Sequence, residues 1–101
     1  MSEPLVADPI AQEEVKTRHC PRYKVFLHND PVTPMNVVTA ILRGVFALDA
    51  RRSRQVMLEA HEQEVAFVTA LPLEQAEFRV EQAHALARGA GYPLTLSYEP
   101  E

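Results

Sequence analysis

The chain predicts an α+β fold: one small domain in which a three-stranded antiparallel sheet packs against three helices, in the order β-α-α-β-α-β, behind a flexible N-terminal arm. Three observations carry this reading. Three short runs rich in β-branched or alternating apolar residues are separated by segments whose apolar side chains recur at helical spacing. Proline, glycine and Asn-Asp pairs punctuate the boundaries between them. The 101 residues leave room for one core and no second domain.

Residues 1–20 mix Ala, Pro and Glu without helical or strand periodicity and are expected to form the arm. Residues 21–101 form the core domain. The first strand is Tyr23-Lys24-Val25-Phe26-Leu27, which stops at the turn-forming Asn29-Asp30-Pro31. Thr33-Pro34 then marks a helix start, with the hydroxyl capping free backbone N–H groups and the proline at the first helical position. Val37, Val38, Ile41, Leu42, Val45 and Phe46 share one face of that helix, and Gly44 weakens it late in its course.

Asp49 caps the second helix, whose Val56, Met57, Ala60 and His61 lie on one side; it ends near Glu62. Val65-Ala66-Phe67-Val68-Thr69 reads as the second strand, and Pro72 breaks the chain. Leu73 to Arg88 follows as the third helix, with Ala76, Val80, Ala83 and Leu86/Ala87 on its buried face and Gly89 and Gly91 closing it. After Pro93, the alternation of Leu94-Thr95-Leu96-Ser97-Tyr98 predicts the last strand.

Composition removes several classes of function. A formal charge of −4 opposes general nucleic-acid binding, which needs clustered Lys and Arg, and favours a basic or amine-bearing partner. The single cysteine, Cys20, cannot make an internal disulfide. No apolar stretch approaches the roughly 18–20 residues of a membrane helix, and Glu3, Asp8, Glu13 and Glu14 occupy the place of a signal peptide's basic start. A cytoplasmic protein without nucleic-acid or membrane partners is expected.

Chemistry-bearing motifs are few. Three glycines supply no phosphate-cradling loop. His61-Glu62 opens like a zinc-protease helix, but Val65 stands where the second histidine belongs. His19, His28, His61 and His84 have no paired metal spacing, and Ser2, Ser53 and Ser97 lack a nucleophile elbow. No metal, cofactor or catalytic residue is therefore expected, although Asp30 and His61 leave an acid–base enzyme formally open. Arg51, Arg52 and Arg54 read as a solvated helix face or a partner contact. On spacing alone Asn29-Asp30-Pro31 is a turn whose side chains bond their own backbone, yet it sits between a strand and a helix N-terminus, where polar groups project toward ligands. His61 falls where the apolar face of its helix meets solvent.

The run Tyr23-Lys24-Val25-Phe26-Leu27-His28-Asn29-Asp30-Pro31-Val32-Thr33-Pro34-Met35, followed by Met57-Leu58-Glu59-Ala60-His61 and by Tyr92-Pro93-Leu94, strongly resembles the ClpS family of Clp protease adaptors. The likeness extends from Tyr23 to Tyr98. It implies a non-catalytic adaptor that binds N-degrons, meaning substrates with a large apolar or aromatic first residue such as Leu, Phe, Trp or Tyr; nothing in the sequence requires more than a monomer. It further implies delivery of these substrates to the N-terminal domain of a Clp AAA+ unfoldase of the ClpA or ClpC type.

By the same resemblance, Asn29, Asp30 and His61 hold the substrate's α-amino group. Thr33, Met35, Val38, Met57, Ala60 and Leu94 form the side-chain pocket, with Met35 as gatekeeper against β-branched residues. Glu74, Ala76 and Arg79 fall at the unfoldase-docking positions, and the arm corresponds to an extension that takes part in delivery. Three residues depart from the family pattern: Pro31 replaces a second acid, Ala60 a larger valine, and Ala76 a hydroxyl residue. The residue types suit the task, because a protonated amine has three N–H donors that an Asn carbonyl, a carboxylate and a neutral imidazole can accept. The helix–sheet order also resembles the C-terminal domain of the ribosomal stalk protein, a plain interaction module with no use for an amine-binding trio.

Overall fold

The computed structural model describes residues 21–101; the arm expected over residues 1–20 lies outside the described residues. The elements are β1 (Arg22–His28), α1 (Met35–Phe46), α2 (Ala50–Gln63), β2 (Val65–Pro72), α3 (Leu73–Gly89) and β3 (Thr95–Pro100). The three strands form one antiparallel sheet with β1 in the middle, between β2 and β3. Fold class and element order are those the sequence predicts.

Alternation along the strands separates the two faces of the sheet. Val25 and Leu27 of β1, Ala66 and Val68 of β2 and Leu96 of β3 are buried on one face. The other face carries an edge-to-face pair, Phe26 and Phe67, with centroids 6.1 Å apart, and a 2.7 Å hydrogen bond between His28 Nε2 and Ser97 Oγ. A bulge breaks the β1–β2 register between Val25 and Phe26. Beyond it the alternation shifts, so Leu71, three residues after Val68, packs back against the core. β2 therefore runs on to Pro72 instead of ending at Thr69.

α3 lies across all three strands, α2 packs on β2 and β1, and α1 packs against α2 and α3. Val38, Ile41, Leu42, Val45 and Phe46 of α1 join Val56 and Ala60 of α2 in a single core. Each of the Val, Ile, Leu and Phe side chains contributes about 1.5–3 kcal/mol when fully buried. α3 meets the sheet through Ala76, Val80, Ala83 and Ala87, whereas Leu86 is exposed. Small side chains let the helix backbone sit close to the strands, and the neighbouring large one is turned outward.

The last strand likewise covers Thr95–Pro100 rather than Leu94 to Tyr98, and two helix ends differ from the sequence reading. Pro34 is the N-cap of α1 rather than its first helical residue: its backbone is extended (ψ 150°) and its carbonyl accepts from Val37 and Val38 N–H at 3.1 Å. Thr33 does not cap; its hydroxyl is buried without a partner. At the end of α3 it is Gly91, with φ +89°, that turns the chain, while Gly89 is still helical. Asp49 caps α2 as expected, its Oδ1 accepting from Arg52 N–H at 2.7 Å. Among the described residues no helix is long and apolar enough to cross a membrane.

Candidate binding site

The loop between β1 and α1 is shaped by one carboxylate. Asp30 Oδ1 accepts from the backbone N–H of Val32 at 2.9 Å and of Thr33 at 2.7 Å, closing a tight turn ahead of α1. Asp30 Oδ2 is buried and has no hydrogen-bond partner. Burial works against the charge on this carboxyl. The Thr33 amide, the adjacent Thr33 hydroxyl, the Val32 amide and the Arg88 guanidinium outweigh it and hold the pKa below the ordinary aspartate value. The protein thus keeps an ionised carboxylate with half of its accepting capacity unused.

A backbone clamp sets this loop beside α2. Glu64 ends α2 with a left-handed backbone (φ 74°), donates its N–H to Ala60 O at 2.8 Å and accepts from Asn29 N–H at 3.0 Å. A non-glycine residue held there is strained by about 1–2 kcal/mol. The strain falls where the helix end carrying His61 meets the loop carrying Asn29 and Asp30. His61 is exposed and Asn29 half-buried.

Between the loop, α1, α2 and the start of β3 lies a cavity of about 330 Å³. That is the low end for ligand sites and suits one side chain rather than an extended molecule. Asn29, Asp30 and His61 line it, and so do Thr33, Met35, Val38, Met57, Ala60 and Leu94. The structure brings all nine together. Val38, Ala60 and Leu94 are buried, Met57 is half-buried, and Met35 is 53% exposed. Leu27, His28, Pro31, Val32 and Pro34, all within the run that carries the resemblance but given no pocket role by it, also line the cavity. Their adjacency to Asn29 and Thr33 in a strand-loop-helix connection is the signal that could have found them.

Leu94 is held in the wall from behind. Arg88 Nη1 donates to Tyr92 O at 3.0 Å and to Leu94 O at 2.7 Å, and His84 Nε2 accepts from Leu96 N–H at 2.9 Å. Burial first, and then the neighbouring Arg88 charge, lower the His84 pKa, in keeping with a neutral ring that accepts. No residue pattern marks either side chain for this role, because each acts on backbone groups several residues away. Among the described residues no cluster of three or more His, Cys, Asp or Glu could hold a metal ion.

The docking positions lie elsewhere, on α3. Glu74 is exposed on the first turn of α3. Arg79 is half-buried, donates to Val45 O at 3.1 Å and sits 6.0 Å from the Phe78 ring. Ala76 is fully buried against the sheet, so its methyl group is not available to a partner.

Comparison with known proteins gives one consistent answer. The family model for the ATP-dependent Clp protease adaptor protein ClpS matches residues 18–97. A ClpS adapter protein of Desulfatibacillum aliphaticivorans is 33% identical over 96 residues, covering 95% of this chain and 92% of its own. ClpS 2 of Agrobacterium fabrum is 39% identical over 79 residues, covering 78% of this chain and 77% of its own. Among solved structures, Agrobacterium tumefaciens ClpS2 bound to L-phenylalaninamide superposes with a TM-score of 0.79 at 37% identity, covering 82% of this chain and all of that one. These matches set the ribosomal stalk alternative aside, and the chain belongs to the ClpS family of Clp protease adaptors.

Proposed function

We propose that this chain is an N-degron adaptor: it binds the free α-amino group and the large first side chain of a substrate, Leu, Phe, Trp or Tyr, and delivers that substrate to a Clp AAA+ unfoldase. The observation that carries the reading is the buried, unpartnered Oδ2 of an ionised Asp30 in the wall of an otherwise largely apolar cavity. A bare carboxylate oxygen out of water calls for a cation. An ammonium attached to an apolar side chain supplies the charge and fills the space.

Asn29 and His61 provide the further acceptors for its N–H groups. Val38, Met57, Ala60 and Leu94 receive the side chain, with Met35 at the mouth as gatekeeper. L-Phenylalaninamide, the ligand of the ClpS2 neighbour, joins those two features in one small molecule, a free amine and a benzyl group. An internal peptide bond offers no such amine, so the site reads chain starts.

Charge-assisted hydrogen bonds contribute about 1.5–3 kcal/mol each, and seating a Leu or Phe side chain adds roughly as much. After the cost of association, affinity near micromolar follows, on the order of −8 kcal/mol. One chain supplies every residue of the cavity, so a monomer suffices. Glu74 and Arg79 on α3 are the docking contacts for the unfoldase N-terminal domain, of the ClpA or ClpC type. The test is fluorescence anisotropy with labelled peptides that differ only in the first residue. Phe, Leu, Trp and Tyr should bind and Ser should not; equal binding of the Ser peptide would overturn the proposal.

A further inference from the structure

A second cavity, of about 320 Å³, adjoins the first and shares Met35 and Met57 with it. Its remaining lining is Asn36, Thr39, Arg43, Ala50 and Arg54, with no carboxylate among them. Arg43 comes from the last turn of α1 and Arg54 from α2, and both are exposed. Arg54 belongs to the basic cluster of α2 that the N-degron reading leaves unused. The two guanidiniums form a positive recess on a protein whose formal charge is −4. Across the methionine ridge, the first cavity holds the Asp30 carboxylate. The groove therefore runs from a negative end to a positive one.

A substrate threaded along it has the complementary polarity when its amino terminus is followed by an acid. In an extended chain, side chains alternate, so residues one and three point the same way about 6.5–7 Å apart. A chain whose first side chain enters the first cavity and which runs on across Met35 and Met57 brings its third side chain to the second cavity. Resting on the N-degron reading, we infer that Arg43 and Arg54 form a subsite for an acidic side chain at the third position of the substrate, so that this adaptor prefers N-degrons with Asp or Glu there. Exposed ion pairs are individually weak. Attraction of a Glu together with repulsion of a Lys amounts to about a three- to tenfold difference in dissociation constant.

The test compares Phe-Ala-Glu, Phe-Ala-Lys, Phe-Ala-Ala and Phe-Glu-Ala peptides, otherwise identical, by competition against one labelled Phe peptide. The wild type should favour Glu over Lys at position three. It should bind Phe-Ala-Glu more tightly than Phe-Glu-Ala, which carries the same charge. The Arg43→Gln/Arg54→Gln double variant, checked for folding by circular dichroism, should bring both ratios close to one, as should 0.5 M salt in the first case. Equal affinities across the series in the wild type would overturn the subsite, as would a Glu preference that is the same at positions two and three. Failure of every Phe peptide to bind would instead overturn the N-degron reading on which it rests.

Discussion

Replacing Asp30 by Asn separates the two tasks assigned to its carboxylate. Oδ1 shapes the loop by accepting from Val32 and Thr33 N–H, and an Asn carbonyl can accept the same two bonds. Oδ2 is the unpartnered atom, and in the variant an NH₂ group stands in its place. The charge is lost, and two N–H donors face an ammonium that has only donors of its own. Loss of one charge-assisted contact is worth about 1.5–3 kcal/mol, which weakens binding of a Phe-initiated peptide roughly 10- to 100-fold. Thermal stability should stay close to wild type.

Asp30→Ala gives the contrast, because it removes the turn acceptor as well. It should lose binding to a similar degree and also about 1 kcal/mol of stability, roughly 4–8 °C in Tm for a domain this size. Isothermal titration calorimetry and thermal melts on the three proteins provide the comparison. An Asp30→Asn variant that binds Phe peptides as tightly as wild type would show that Oδ2 of Asp30 does not hold the amine.

Met35 stands exposed at the cavity mouth; as gatekeeper it should keep Ile and Val first residues out of the wild type and admit them in Met35→Ala, and equal exclusion of both by the two proteins in anisotropy measurements would remove that role. Ala60 is buried in the cavity wall, so the added methyl groups of Ala60→Val take up ligand space and should weaken Trp-initiated peptides more than Leu-initiated ones; a fixed Trp-to-Leu ratio would count against that depth of pocket. His84 has a lowered pKa in the folded chain, so the unfolded chain binds its proton first as pH falls. The stability it contributes is complete above the unfolded value of about 6.5 and is lost progressively below it. The urea midpoint should accordingly fall less steeply from pH 7.5 to 5.5 in His84→Gln than in wild type, and parallel profiles would contradict the assignment.

Much of the fold was legible because its signals are local. The apolar face of α1, the Asp49 cap and the runs of β1 and β2 each declare themselves within a dozen residues. Where reading failed, a distant partner decided. The end of β2 was hidden because the bulge opposite Val25 shifts the inward positions from Val68 to Leu71. Leu86 and Ala87 are equivalent by helical period, and only the closeness of the sheet selects the smaller.

The site was legible for a different reason. Spacing alone read Asn29-Asp30-Pro31 as a self-bonded turn, which Oδ1 of Asp30 indeed makes; the family likeness added the cavity to which the same residue belongs. The positioning of Leu94 by Arg88 and of the loop by Glu64 stayed invisible, since those contacts are made to backbone atoms that no residue pattern encodes.

Acetylation of the ligand separates a site for free, charged chain starts from a plain apolar slot. Calorimetric titration with a Phe-initiated peptide and its N-acetyl counterpart changes nothing in the side chain and removes the ammonium charge. The free peptide should bind near micromolar and the acetylated one at least about 100-fold more weakly, given two or more lost charge-assisted contacts. Binding of the acetylated peptide within twofold of the free one would contradict the account and leave the cavity a simple hydrophobic slot.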